Sequence, residues 1–117
     1  MGNFKDLKVW QNAKDISVSV YKITDNEKYK TDFGLRDQMR RSSVSVPSNI
    51  AEGDDLSSDR QSIKYFYIAK GSVAELRTQL LISFEIGYIS KNVYSSIEKQ
   101  CEEVTAMLTG LIRFRSK

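Results

Sequence analysis

The sequence predicts an all-α protein, an up-and-down antiparallel four-helix bundle formed by residues 1–117 as a single domain. Three observations lead to this prediction. The chain of 117 residues has a single proline and six glycines, few for a turn-rich β fold. Apolar residues recur at spacings of three and four, the period of an amphipathic helix. The four periodic segments are joined mostly by short links, which favours antiparallel neighbours around one core.

The first predicted helix covers residues 7–24. Asp6 precedes it and has a side chain suited to the N-cap position. Its apolar stripe consists of Val9, Ala13, Ile16, Val20 and Ile23. The polar stretch of residues 25–32 that follows is expected to be the one long connection of the bundle.

The second predicted helix begins near Leu35, and Gly53 is expected to stop it. Pro47 lies inside this segment, where it removes the amide that would bond the Ser43 carbonyl. We expect a bend at Pro47, because the apolar period continues through it and serine hydroxyls can satisfy freed backbone groups. Two short helices are the alternative. The predicted seam is Leu35, Met39, Ser43, Val46 and Ile50.

Ser58 and Gln61 have the spacing of a capping box and open a third predicted helix over residues 59–86. Gly87 is expected to end this helix, and Ser90 is expected to cap a fourth. The seam of the third helix is Phe66, Ala69, Val73, Leu76, Leu80, Ser83 and Gly87. The seam of the fourth is Val93, Ile97, Cys101, Val104, Leu108 and Leu111.

The third helix carries more apolar side chains than one seam can bury. Residues 65–67 and 80–82 are consecutive apolar or aromatic runs, so their side chains point in several directions around the helix. We expect part of this surplus to contact another subunit, which predicts a homo-oligomer. Gly71, in the middle of the helix, is expected to allow close helix packing.

The chain contains no histidine. This absence removes the serine–histidine and cysteine–histidine nucleophiles and imidazole metal ligation. The lone cysteine, Cys101, falls on the predicted seam of the fourth helix and is expected to be a core residue. The sequence therefore predicts no enzyme, no catalytic residue and no cofactor.

Four carboxylates crowd the predicted turn between the second and third helices: Glu52, Asp54, Asp55 and Asp59. Oxygen ligands of this kind suit Ca²⁺ or Mg²⁺, but the spacing fits no established metal-binding loop. Acidic side chains also favour helix starts and solvated turns, which is the interpretation we prefer. No metal site is predicted.

The formal net charge is +3, and the densest basic group lies on the second predicted helix. Arg36, Arg40 and Arg41 form this group. Arginine can bind a phosphate through two hydrogen bonds, so these three residues are the candidate nucleic-acid-binding site. Ion pairs with Asp32, with Asp37 or with a neighbouring subunit are the alternative.

A second basic group, Arg113, Arg115 and Lys117, lies at the end of the chain. Cations at a helix C-terminus are stabilising without any ligand. The pattern alone therefore does not separate a binding surface from a stabilised helix end.

No run of residues approaches the roughly 18 apolar residues that a membrane span needs. Residues 1–8 lack the basic start and apolar stretch of a signal peptide. The single cysteine is compatible with a reducing compartment. These features predict a cytoplasmic protein with no membrane partner.

The segment LRDQMRRSSVSVPSNIAEG, residues 35–53, resembles the signature of a bacterial four-helix-bundle family. That family is named for proteins encoded in 23S rRNA intervening sequences and is also labelled S23 ribosomal-protein-like. Residues 4–11, 66–76 and 87–88 match as well, so the resemblance spans nearly the whole chain. The chain departs from the pattern at Val46, where isoleucine is usual, and at Asp54 and Asp55, where a basic or polar residue often follows.

The resemblance implies a bundle that assembles into a ring-like homopentamer. The chain also resembles, more distantly, the basic pentameric accessory proteins of diversity-generating retroelements, which engage nucleic acid and a reverse transcriptase. Within the signature, Pro47, Ser48, Asn49, Glu52 and Gly53 are expected to shape the second helix and its turn and to have no catalytic role.

Residues and resemblance together predict a non-enzymatic oligomeric bundle that binds RNA or a ribonucleoprotein through Arg36, Arg40 and Arg41. The alternative is a protein–protein interaction scaffold that binds no nucleic acid. The mild excess of basic residues supports a polyanion partner only where the charges cluster.

Overall fold

The computed structural model describes residues 3–56 and 58–117. Within these ranges it contains five α-helices and no strand: α1 (Lys8–Ile23), α2 (Glu27–Lys30), α3 (Phe33–Asp54), α4 (Asp59–Glu85) and α5 (Lys91–Arg115). A 3-10 turn, Phe4–Asp6, precedes α1. The all-α prediction is confirmed.

The four long helices pack in a closed cycle. α1 contacts α3, α3 contacts α4, α4 contacts α5, and α5 contacts α1. The diagonal pairs, α1 with α4 and α3 with α5, make no close backbone contact in the part of the chain that the structure describes. The resulting body measures 45 × 20 × 20 Å, and its long dimension follows the helices.

The core contains the seams that the sequence predicts. All of the predicted seam residues of α1 and α3 except Ile23 and Leu35 are buried. Ile23, Leu35, Val93 and Leu111 pack against the core from its edge. Gly87 lies outside the core, in an exposed turn. The sequence did not predict Ile112 and Ile89, which are also buried.

The start of α1 differs from the prediction. Asp6 is the last residue of the 3-10 turn and does not cap α1. Leu7, with an extended backbone, takes the N-cap position and provides no side-chain hydrogen bond. Asn3 instead caps the 3-10 turn, where its Oδ1 accepts from the Lys5 amide at 3.0 Å.

The predicted linker, residues 25–32, contains a helical turn and a core residue. Asn26 caps α2 by accepting from the Lys28 amide at 2.8 Å. Tyr29, within α2, is fully buried, and its ring meets Tyr88 edge-on with centroids 5.0 Å apart. A single aromatic residue in a polar stretch has no periodic partner, so the sequence pattern could not place Tyr29 in the core.

α3 continues through Pro47, which lies buried inside it, so the alternative of two short helices is wrong. Proline removes the amide that would bond the Ser43 carbonyl. The Ser17 hydroxyl of α1 donates to that carbonyl at 2.7 Å. A serine therefore satisfies the freed group, as the sequence led us to expect, but it comes from the neighbouring helix.

Gly53 does not stop α3, because the helix runs one residue further and Asp55 takes the C-cap position. Instead, the packing of α3 against α4 leaves no room for a side chain at Gly53. A Cβ atom on Gly53 would lie 2.8 Å from the Phe66 ring and 3.1 Å from the Ser62 carbonyl oxygen. The Ser62 hydroxyl also donates to the Gly53 carbonyl at 2.6 Å, so a side chain of α4 bonds directly to the backbone of α3 at this point.

The remaining helix ends follow the predictions. Ser58 caps α4 by accepting from the Gln61 amide, and Ser90 caps α5 by accepting from the Val93 amide. Gly87 has φ +84°, and the Gly87 and Tyr88 amides bond back to carbonyls of the last turn of α4. This pattern is a Schellman motif, which favours glycine.

Candidate functional site

Arg36 lies in the first turn of α3, where its side chain contacts two neighbouring side chains. Its Nε donates to Asp37 Oδ1 at 3.0 Å, and its guanidinium lies 4.8 Å from the centre of the Phe33 ring. Only 26% of the side chain is exposed. The ion pair with Asp37 is one of the alternatives that the sequence left open.

Arg40 joins α3 to α1. Its Nε donates to the buried Thr24 hydroxyl at 2.9 Å, and its guanidinium lies 4.6 Å from the centre of the Tyr21 ring. The Nε atom therefore makes a hydrogen bond within the bundle, while the guanidinium group lies over an aromatic ring. Arg40 contributes to the α1–α3 contact as well as to surface charge.

Arg41 is exposed and has no ion pair or side-chain hydrogen bond among the described residues. It lines a polar pocket of about 250 Å³ between α3 and α4, together with Gln38, Ser45, Ser72 and Glu75. Adjacent helical residues differ in direction by about 100°. The three arginines therefore do not converge: Arg40 faces α1, whereas Arg41 faces α4.

The two tail arginines have different environments. Arg115 pairs with Asp54 at 3.2 Å and with Asp59 at 3.9 Å, and its guanidinium lies 5.4 Å from the centre of the Phe66 ring. It thus ties the end of α5 to the turn between α3 and α4. Arg113 is exposed and has no such partner in the described part of the chain.

Arg113 lines a cleft between α4 and α5, which we call the α4–α5 cleft. Its lining residues are Tyr67, Lys70, Thr109, Ile112, Arg113 and Ser116, and its volume is about 280 Å³. The sequence analysis missed this grouping, since Lys70 and Arg113 are far apart in the chain. The available signal for this grouping was Tyr67, an aromatic residue three positions before Lys70 and therefore on the same helix face.

Within residues 3–56 and 58–117, which include all four carboxylates of the acidic turn, no three acidic or thiol side chains come close enough together to hold a metal ion. Asp54 and Asp59 face Arg115, Asp55 takes the C-cap of α3, and Glu52 is exposed. These positions agree with the preferred interpretation of caps and solvated turns.

The other signature residues differ in burial and in contacts. Asn49 is half-buried, and its Nδ2 donates to the Ser45 carbonyl at 2.8 Å and to the Ser45 hydroxyl at 3.0 Å. Ser48 and Glu52 are exposed. That these residues shape α3 stays a prediction.

Cys101 is fully buried in the core. Burial, followed by the nearby Glu98 carboxylate, raises the pKa of its thiol to about 12. A neutral thiol of this kind is a poor nucleophile at neutral pH, as expected for a core residue.

The apolar surplus on α4 does point in several directions. Phe66 and Leu80 are buried, whereas Tyr67, Leu81 and Ile82 are 40–57% exposed. A Cβ atom added to Gly71 would meet nothing within 4 Å, so the expectation that Gly71 allows close helix packing is wrong within this chain. A second exposed apolar group, Val18, Tyr21 and Val44, lies on α1 and α3.

No helix within residues 3–56 and 58–117 has both the length and the apolar character needed to cross a membrane.

Comparisons with known proteins agree with the resemblance in the sequence. The model of the family described as 23S rRNA-intervening sequence protein matches residues 5–110. A similar solved structure is a protein with unknown function from the S23 ribosomal protein family of Bacteroides thetaiotaomicron VPI-5482. The two chains are 26% identical with a TM-score of 0.82, and the match covers 89% of this chain and 97% of that one. The curated proteins contain no match. The family match and the shared fold show that the chain belongs to the 23S rRNA-intervening sequence protein family.

Proposed function

We propose that this protein is a non-enzymatic, homo-oligomeric helical bundle of the cytoplasm that binds RNA, alone or within a ribonucleoprotein. In this proposal the long helices run up and down and α3 bends at Pro47. Across the α3–α4 contact, Ser42 bonds Gln79, and the later α3 residue Gly53 bonds the earlier α4 residue Ser62. Across the α4–α5 contact, Asp59 pairs with Arg115 and Arg77 pairs with Glu98. The reversed order along each contact supports antiparallel neighbours.

The observation that carries the RNA proposal is the exposed cation Arg41, which has no acidic partner within 4 Å among the described residues. A free guanidinium can form two parallel hydrogen bonds with a phosphate. Arg36 and Arg40 flank it on the same helix and add positive charge, although each also contacts its own bundle. The family name associates related proteins with 23S rRNA intervening sequences.

Two separate apolar surfaces support assembly. One lies on α4 and includes Ile68, Ile82 and Ile86; the other lies on α1 and α3 around Val18 and Val44. Because α1 and α4 sit on opposite corners of the cycle, the two surfaces face different directions. If the α4 surface of one copy contacts the α1–α3 surface of the next, the copies form a ring when the rotation between neighbours closes. Such a ring suits the pentamer that the resemblance implies.

RNA binding is tested by fluorescence anisotropy with a labelled single-stranded RNA of mixed sequence at several salt concentrations. Each lost phosphate contact lowers the slope of log affinity against log salt by roughly 0.7 to 0.9. We expect Arg41→Glu to lower both affinity and slope, and Arg40→Glu with Arg41→Glu to lower them further. The melting temperature must be followed, because Arg40 also bonds Thr24.

A wild-type protein without salt-dependent RNA affinity at low ionic strength contradicts the RNA proposal. The exposed apolar surfaces then favour the second candidate, a scaffold that binds another protein. Light scattering coupled to gel filtration tests the assembly: a pentamer is expected, a monomer at micromolar concentration excludes an oligomer, and a dimer or tetramer excludes the pentamer.

A further inference from the structure

We infer that the α4–α5 cleft binds single-stranded RNA by stacking a base on Tyr67 and holding the adjoining phosphates with Lys70 and Arg113. This inference rests on the proposed function and gives it a second contact surface, separate from the α3 arginines. No feature of the sequence pattern alone brings these three residues together.

The cleft combines an open aromatic ring with two cations. Tyr67 is 57% exposed, so much of its side chain is accessible to a ligand. Lys70 and Arg113 line the same cleft from α4 and α5, and no carboxylate lines it. Its volume of about 280 Å³ suits one part of a larger ligand, since sites that enclose a whole small molecule are typically about 300–1,000 Å³.

Several carboxylates along the α4–α5 contact pair with other arginines. Arg115 pairs with Asp54 and Asp59 at the end of α5. Further along the same contact, Arg77 pairs with Glu98 at 2.7 Å and with Glu102 at 3.8 Å.

Lys70 and Arg113 lie between these two networks, and neither has an ion pair within the described ranges. Their charge is thus available to an external anion.

The positive charge continues along α4 beyond the cleft. Arg60 and Lys64 precede Tyr67 by seven and three residues, which places them on the same side of the helix. Both are exposed, and neither has an ion pair among the described residues. From Arg60 to Lys70 the helix rises about 15 Å, so these cations can follow an extended strand along the helix.

The chemistry favours an unpaired RNA strand over other anions. Aromatic side chains stack well on unstacked bases, and cations beside them hold the backbone without reading its sequence. A duplex offers phosphates but no free base face. The exposed apolar side chain Ile82 lies near the other end of α4, about 22 Å along the helix from Tyr67.

The test measures the affinity of the full chain for a fluorescent single-stranded RNA and for its duplex across a salt series. Lys70→Glu with Arg113→Glu should lower the salt slope by about 1.4, for two lost single-strand phosphate contacts. Tyr67→Leu should lower affinity about tenfold at constant slope, because it removes the stacking face and keeps an apolar side chain. The control Lys91→Glu with Lys99→Glu makes the same change in charge at exposed positions of α5 outside the cleft.

The inference is wrong if wild-type protein binds RNA while the cleft variants bind as well as the control variant. The Arg41→Glu result then still decides the proposed function on its own. Equal affinity for single strand and duplex, with no effect of Tyr67→Leu, would overturn the stacking contact. A wild-type protein that binds neither RNA rejects the inference together with the proposed function. Melting curves and oligomer mass for every variant separate loss of binding from loss of structure.

Discussion

α4 packs against α3 on one side and against α5 on the other, and the two contacts are built from different chemistry. The side-chain hydrogen bonds across the α3–α4 contact join neutral groups: Ser42 bonds Gln79 at 2.7 Å, and the Ser45 and Ser72 hydroxyls lie 2.8 Å apart. The α4–α5 contact contains ion pairs at two levels, Arg77 with Glu98 at 2.7 Å and Arg115 with Asp59 at 3.9 Å.

This difference distinguishes basic side chains that pair with carboxylates between helices from basic side chains that can bind a ligand. On the α3–α4 side the helices approach closely, and hydrogen bonds between neutral groups complete the contact. On the α4–α5 side the paired arginines hold the helices together, whereas Lys70 and Arg113 between them have no partner among the described residues. We interpret the paired cations as structural and the unpaired ones as available to a ligand.

The largest expected effect concerns the α3–α4 contact at Gly53. Gly53→Ala should destabilise the protein by about 2–3 kcal/mol, because the new methyl group would overlap the Phe66 ring and the Ser62 carbonyl. Urea unfolding measures this. Gly71→Ala is the matched control, since nothing lies within 4 Å of its Cβ position, and it should stabilise α4 by about 0.5–1 kcal/mol. Equal effects of the two substitutions would show that Gly53 is not a packing position.

The next effect compares two arginines at the end of α5. Arg115→Ala should cost about 2 kcal/mol, because Asp54, with 11% of its side chain exposed, loses its partner. That corresponds to a fall in Tm of about 8 °C for a chain of this size, which circular dichroism can follow. Arg113→Ala should change stability by less than about 0.5 kcal/mol. If Arg113→Ala were the more damaging change, the division into structural and available cations would be wrong.

A smaller effect is expected from one hydrogen bond of the α3–α4 contact. Ser42→Ala removes the hydroxyl that donates to the buried Gln79 side chain. We expect it to lower the free energy of unfolding by about 1 kcal/mol. Ser48→Ala changes an exposed serine of the same helix and should be close to neutral. Chemical denaturation of both variants provides the comparison, and a neutral Ser42→Ala would mean that water replaces the bond without loss.

The smallest effect is a pH dependence from Cys101, in α5 of the α4–α5 contact. Its folded pKa is raised to about 12, so above the unfolded pKa of about 8.5 only the unfolded chain releases the proton. Stability should therefore fall as pH rises, by about 0.8 kcal/mol between pH 7 and pH 9. Urea unfolding at the two pH values should show this loss in the wild type and its absence in Cys101→Ala. An equal loss in both would assign the pH dependence to other groups.

The sequence predicted the four long helices well because each has a regular apolar period, although Asp6 and Gly53 did not mark the helix ends. The seams of α1 and α3 and the caps Ser58, Gly87 and Ser90 came from local spacing, which a single sequence displays directly. The roles of Gly53 and Ser17 could not be predicted in the same way. Each depends on which atom of another helix lies opposite, and that is a property of packing.

The candidate site was less predictable for the same reason. Local density selected Arg36, Arg40 and Arg41, but the fold directs Arg40 to α1 and Arg41 to α4. The α4–α5 cleft joins residues that are distant in the chain, so no local pattern identifies it. Arg113 and Arg115 look equivalent in the sequence, and only the position of Asp54 distinguishes them.

The most direct test of the division between structural and available cations is photo-crosslinking of wild-type protein to a single-stranded RNA that contains 4-thiouridine, followed by tryptic mapping. Cleavage after Lys64 and Lys70 isolates residues 65–70, which include Tyr67. We predict crosslinks to this peptide and to peptides that adjoin Arg41, all suppressed by salt. Crosslinks confined to residues 91–99 of α5, or crosslinks that salt does not suppress, would contradict the assignment of the unpaired cations to RNA.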